Sequence, residues 1–266
     1  SPHGRCAIKP RSAGDFYVRP LLRVTPMPNS NTPAIDPFAE FDLICDFPFA
    51  IDAFAELRRY IRAVNDFFPH VTAQQSVRIT ARIKRASDPV VQAEMESELE
   101  AVGHDGSIVL PRIVWGGVLV SVFAAFEYGV KKTLKHWQTT VEHTVEFKVL
   151  PRKDFLKSAE AYAADQMQLP LFKSPKVRQT LMDLKAFRNS FAHGSGLLSD
   201  LPPNLVTAIN QHLHPGVSLE VEDGQWVGNA RGAAYYLLNS ERAINTFGDC
   251  VLEKCLAHKR AYNAEV

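Results

Sequence analysis

The chain has 266 residues, 46% of them apolar, and a formal net charge of +1, so it has apolar residues enough for a sizeable core and neither the composition nor the charge of a disordered polyelectrolyte. So even a balance excludes recruitment of nucleic acid, anionic membrane or acidic partners by the field of the whole molecule, and any basic site must be local. The four cysteines, Cys6, Cys45, Cys250 and Cys255, form no CxxC pair, a usage that argues against a disulfide scaffold and for a reducing, cytoplasmic setting.

Residues 1 to 37 carry seven of the seventeen prolines, together with PNSNTP, and are expected to form an irregular arm. No basic and then apolar export pattern opens them. An N-terminal helical region is expected over 38 to 105. In it, helical spacing runs from Pro37 to Phe68 with Pro48 as a kink or break, and an amphipathic stretch from Val77 to Val102 is interrupted at Asp88-Pro89. Gly103 and Gly106 in GHDGS predict a turn there.

The third segment, 106 to 266, carries the clearest helix. Between Pro111 and Trp137, Leu119, Phe123, Phe126, Val130, Leu134 and Trp137 recur at steps of three and four, which makes one apolar stripe. Its most apolar run, Ile113 to Phe126, falls short of the ~18 residues of a bilayer span and reads as a buried helix, with no membrane partner expected. A shorter helix is predicted from Lys153 to Met167. Another starts at Ser174-Pro175 and closes at Gly194 and Gly196, because proline suits the first helical position and glycine the left-handed end. VSLEVEDGQWVG alternates around Asp223-Gly224 as a small hairpin, and a last helix follows from about Asn229 to His258, with Leu237, Ile244, Phe247, Val251 and Cys255 on one side. The expected class is all-α, a helical bundle with a small β-hairpin before its last helix.

In the helix that closes at Gly194, Leu181, Leu184, Arg188 and Phe191 fall at steps of three, four and three, so Arg188 is expected on the core-facing side. A guanidinium there needs a carboxylate or a phosphate, since burying it unpaired costs several kcal/mol. Glu127, four residues after Phe123, is the carboxylate best placed to meet it. His193 lies in the last turn, where the helix dipole favours a cation and where imidazole can exchange a proton near neutral pH. On an ideal helix Arg188 and His193 point about 140° apart, so a single phosphate joins them only if the helix end unwinds or a second subunit completes the site.

The segment RNSFAHG, Arg188 to Gly194, resembles the motif of the HEPN family: Arg, a polar residue, and a His after four to six residues, near the end of a helix. The resemblance covers about residues 108 to 260. It implies a HEPN-type helical bundle, often dimeric, in which two such motifs meet at a subunit interface and cleave RNA without a metal ion, in toxins, phage defence or RNA processing. It further implies that Arg188 stabilises the scissile phosphate, His193 is the general acid or base, Asn189 is the polar neighbour that positions it, and Glu127 matches an acidic residue of a preceding helix. Position 195 is Ser, not the Tyr that some HEPN toxins carry as a target of nucleotide transfer, so that control is not expected here.

Metal-free cleavage needs a base for the 2′-hydroxyl, fixed positive charge at the phosphorane and an acid for the 5′-oxygen, giving 2′,3′-cyclic phosphate and 5′-hydroxyl ends. From Lys131 to Arg188 there are 12 Lys and Arg against 6 Asp and Glu, the local excess that an RNA groove requires. Lys131, Lys132, Lys135 and Lys185 are the expected RNA contacts. A solvated helix face explains the same run without RNA. The expected partners are RNA, a second copy of the chain, and an antitoxin or defence partner, with no cofactor and no metal: His212 and His214 in HLH lack a third ligand nearby. A non-catalytic dimerisation or nucleotide-binding module of the same fold is the alternative, and a scaffold in which RNSFAHG is merely a helix end is the third reading.

Overall fold

The computed structural model describes residues 49–141, 145–148, 154–194, 196–211, 217–218 and 224–265; the side chains of Phe49 to Ile51, Asn210, Val217, Ser218 and 262–265 are left undescribed. The proline-rich arm, the expected break at Pro48, Cys6, Cys45 and the HLH histidines lie outside the described residues.

Helix α1 runs from Phe49 to Ile83 without interruption, 35 residues with Pro69 inside it. The stretch that ends at Phe68 and the one that starts at Val77 are thus joined in a single helix. The break at Asp88-Pro89 is present: Asp88 caps helix α2, Pro89–His104, by accepting from Val90 N at 2.9 Å, and Pro89 takes the first helical position. The turn expected at GHDGS does not form. Instead a π-helical turn, Asp105–Val109, leads without a break into α3, Leu110–Thr140. Tertiary packing explains the difference, because a Cβ on Gly106 would collide with the Thr72 side chain of α1. Here glycine serves a close helix contact, and its turn-forming freedom is not used.

α3 is the centre of the bundle and packs against α1 and the later helices. All six residues of the predicted stripe are buried, with Leu119, Phe123, Phe126, Val130 and Leu134 at 1% exposure or less. Each such side chain stabilises the fold by about 1.5–3 kcal/mol. The continuous helical stretch Pro89–Thr140 is long and apolar enough, by length and composition, to cross a membrane, and a third of its most apolar window is buried in the bundle.

Helix α4, Phe155–Met167, is capped by Asp154 and ends at Gln168 in the left-handed region, and α5 follows as Pro175–Gly194. A 3-10 turn, Leu198–Asp200, and a short helix α6, Pro203–Asn210, come next, and neither is among the elements expected from the sequence. Strands β1, Val217–Ser218, and β2, Val227–Gly228, pair antiparallel with Val217 opposite Gly228, the base of the predicted hairpin. The last helix, α7, spans Ala230–Glu265, and its predicted side, Leu237, Ile244, Phe247, Val251 and Cys255, is buried. Burial also pushes the Cys255 thiol up to about 11, so it stays protonated and unreactive at neutral pH. The described chain is all-α with one two-stranded ladder. Phe54 and Ile61 of α1 join the same core as α3, α5 and α7, and Arg58 is hydrogen-bonded to Glu241 across α1 and α7.

The two adjacent glycines of α3 differ in surroundings. A Cβ on Gly116 would collide with the ring of Phe191, whereas one on Gly117 meets nothing within 4 Å. G116A is therefore expected to lower unfolding free energy by about 2 kcal/mol. G117A should leave it unchanged or raise it by up to about 1 kcal/mol. Urea titration of the two variants checks the contrast, and equal effects would contradict this packing.

Candidate functional site

The motif RNSFAHG occupies the last turns of α5. The deepest residues of that helix are Thr180, Leu181, Leu184, Phe187 and Ser190, so the core-facing line passes through Phe187 where the spacing had placed Arg188. Phe187 meets Trp226 and Tyr236 edge to face, with centroids 4.9 and 5.9 Å away. Arg188 is displaced to the margin of the buried face and is half-buried. This is the usual solution for a long cationic side chain, whose stem lies on apolar surface while its head stays accessible.

The guanidinium of Arg188 lies over the ring of Phe123, 5.5 Å from its centroid, and Nη1 donates to Asn189 Oδ1 at 2.9 Å. The predicted ion pair with Glu127 is absent, and no other described carboxylate reaches Arg188. A buried aromatic face contributes about 0.5–2 kcal/mol to holding a cation in place but accepts no in-plane hydrogen bond. Most of the five guanidinium N–H donors are left without a protein acceptor among the described residues. The charge is thus located without being neutralised. Glu127 is half-buried one turn beyond Phe123 on α3, with no ion pair among the described residues.

His193 is exposed in the final turn, and the chain beyond it is tightly fixed. Gly196 takes φ +83°, a conformation suited to glycine, and its N–H donates to Ser190 O at 3.1 Å. Ser190 Oγ donates to Leu197 O at 2.9 Å and accepts from Trp226 Nε1 at 3.0 Å, while Trp226 N donates to Gly196 O at 2.9 Å. Leu198 N adds a bond to Gly224 O at 2.8 Å. The buried Ser190-Trp226 node therefore clamps the loop after the motif onto the base of the hairpin. Sequence reasoning missed this node, since nothing in the spacing of a serine and a tryptophan 36 positions apart announces their contact. It also missed Asp200, whose carboxylate lies so close to Gly194 that any Cβ there would collide with it. An acidic group thus stands beside the helix end that carries His193.

Around Arg188 the helices bring several charges together. Lys185, one turn earlier on α5, is half-buried and ion-paired with Asp154, the N-cap of α4. Lys131 extends over the ring of Phe155, the first residue of α4, at 5.0 Å. Phe123, Glu127 and Lys131 occupy successive turns of α3, so the contacts close a circuit: Arg188 on Phe123, Lys131 on Phe155, Asp154 on Lys185, and back along α5. Of the four lysines expected to contact RNA, Lys131, Lys132 and Lys135 are exposed, with Lys132 5.4 Å from the centroid of the exposed Tyr128 ring. Lys185 differs, because its charge is already committed to Asp154. The bidentate pair of Arg178 with Glu160, at 2.5 and 2.9 Å, removes another cation from the local excess.

No group of three metal-ligating side chains occurs among the described residues. A cleft of about 630 Å³ opens in the molecule, but Arg188, Asn189, His193 and Glu127 do not line it. Pocket shape and motif chemistry therefore point to different places. No family model matches the chain, and no curated protein or solved structure is significantly similar to it.

Partial burial alone would raise the Asp154 carboxyl, but the Lys185 ammonium and the N–H groups of Leu156 and Lys157 outweigh it and hold the group below the ordinary Asp value. Because the folded value is depressed, this stability is present above about pH 4 and is lost as pH falls through the folded value. Lys185→Met is expected to cost about 1 kcal/mol at pH 7, between the values for exposed and buried pairs. The difference from the parent should shrink in denaturant titrations as pH falls through the depressed Asp154 value, below the ordinary Asp range. A pH-independent difference would show that the ion pair is not its source.

Proposed function

We propose that the chain is a HEPN-like, metal-independent endoribonuclease that acts as a homodimer in a toxin or phage-defence role and needs no cofactor. The observation that carries this reading is the half-buried Arg188, stacked on Phe123 and, among the described residues, bonded only to a neutral amide, on the same helix end as the exposed His193. A guanidinium located without a carboxylate partner can take a phosphate at once, its planar fork matching two phosphate oxygens.

In this reading Arg188 binds the scissile phosphate and stabilises the charge that develops on it. His193 transfers the proton, taking it from the 2′-hydroxyl in one subunit and giving it to the leaving 5′-oxygen in the other. The 140° between the two positions on one helix favours a site completed by the second copy's motif. Asn189 fixes the guanidinium through the 2.9 Å bond to its Nη1. Glu127 lies one turn from Phe123 and one from Lys131, and its carboxylate shapes the field at the phosphate. Lys131, Lys132 and Lys135 continue along α3 as contacts for the flanking RNA backbone, for which exposure is the requirement.

Purified protein incubated with total RNA should generate 2′,3′-cyclic phosphate and 5′-hydroxyl ends, with no loss of rate on adding a chelator. R188A and H193A are each expected to lower the rate by at least about 100-fold. Since neither side chain is ion-paired among the described residues, both variants should melt within a few degrees, roughly 4 °C, of the parent. Cleavage that survives both substitutions, or that stops with chelator, would refute the assignment.

A further inference from the structure

The cleft of about 630 Å³ lies between one face of α1, the π-turn with the start of α3, and the junction of β2 with α7. We propose that it is a binding site for a neutral, planar, hydrogen-bonding ligand of nucleoside size, separate from the site at Arg188 and His193.

Three irregularities of the helices converge on this cleft. Pro69, which lines it, has no N–H to offer the carbonyl of Asn65 four residues earlier, so α1 presents an acceptor whose helical donor is missing. Opposite it, Gly106 and Ser107 belong to the π-turn, a geometry concentrated at functional sites. At the third side Asn229 caps α7 by accepting from Gly232 N at 2.8 Å, which leaves the N–H of Ala230 without an acceptor inside the helix. Residues that carry such a backbone acceptor and such a backbone donor therefore line one cavity.

The side chains add to this supply. Thr72 and Ser76, one turn apart on α1 and both half-buried, have hydroxyls with no hydrogen-bond partner among the described residues, and so does the amide of Asn65. Asn65 is exposed and Thr72 and Ser76 are half-buried, so solvent reaches these groups and a ligand in the cleft would exchange that hydration for its own hydrogen bonds. Among the described residues no Lys, Arg, His, Asp or Glu side chain lines the cavity, so an ionised ligand would lose hydration there without meeting a counter-charge. Apolar surface comes from Phe68 and Pro69 on one wall and from Pro111 and the buried Trp115 on another, which suits the faces of a flat ring whose edges carry the hydrogen bonds. The volume lies within the range of small-ligand pockets. A nucleobase with its ribose meets each of these requirements; a sugar alone lacks the flat apolar faces, and a phosphate lacks a cation to receive it.

Calorimetric titration of the full chain with adenosine, guanosine, cytidine and uridine, with their 5′-monophosphates, and with glucose tests the proposal. At least one nucleoside is expected to bind saturably below about 1 mM, with its monophosphate gaining no more than about two-fold and glucose showing no saturation. T72V, which removes the hydroxyl at nearly constant size, should weaken binding about five- to ten-fold, and S76F, which fills the cleft, should abolish it. R188A should leave the affinity unchanged, which separates this outcome from any failure of the nuclease reading. Absence of saturation by every nucleoside, glucose binding as tightly, a monophosphate gain of ten-fold or more, or an affinity unaltered in both cleft variants would overturn it.

Discussion

The close approach of α5 to α3, where the ring of Phe191 lies against Gly116, sets the position of every group in the candidate site. Any larger residue at 116 would hold the two helices apart. With the contact made, α5 runs antiparallel across α3, and three residues before Phe191 the guanidinium of Arg188 comes to rest on Phe123, seven residues beyond Gly116. One further turn back, Lys185 reaches Asp154 and so joins the start of α4 to the same patch. A steric constraint at one glycine thus fixes an electrostatic arrangement several turns away, as interiors at near-crystalline density require.

The electrostatics of that patch are unusual in what they leave undone. Lys185 and Arg178 each have a carboxylate, and their charges serve the fold. Arg188 has an aromatic ring and a neutral amide, which hold it in place at little cost to its affinity for an anion. Rigidity behind the motif completes the arrangement: the bonds joining Ser190, Leu197, Gly196 and Trp226 keep the end of α5 from fraying, so His193 projects from a fixed support. Under the proposed nuclease reading, this pre-organisation would hold the cation and the imidazole in place for cleavage.

Where the helices depart from regularity, the reason is again tertiary. Pro69 stays inside α1, the chain winds through a π-turn between α2 and α3 in place of a loop, and residues of both irregular segments line the same cleft. Local rules predict a break at each point, since proline lacks a donor and paired glycines favour turns. Packing of Thr72 on Gly106 overrides the second of these, and the length of α1, buried through Phe54, Ile61 and Ile79, overrides the first.

The stripe from Leu119 to Trp137, the interruption at Asp88-Pro89, the glycine-closed end of α5 and the buried side of α7 were legible in the sequence, because each depends on periodicity or on chemistry within a few neighbouring residues. RNSFAHG was legible on the same ground, as a cation and an imidazole near a helix end. Tertiary structure alone decided that Phe187 and not Arg188 faces the core, that Glu127 does not pair with Arg188, that Lys185 is bound to Asp154, and that Ser190 meets Trp226. The physical reason is distance along the chain: helical spacing gives the angle of a residue on its own helix, while the partner it meets depends on how two helices cross, and that is set by contacts between residues dozens of positions apart.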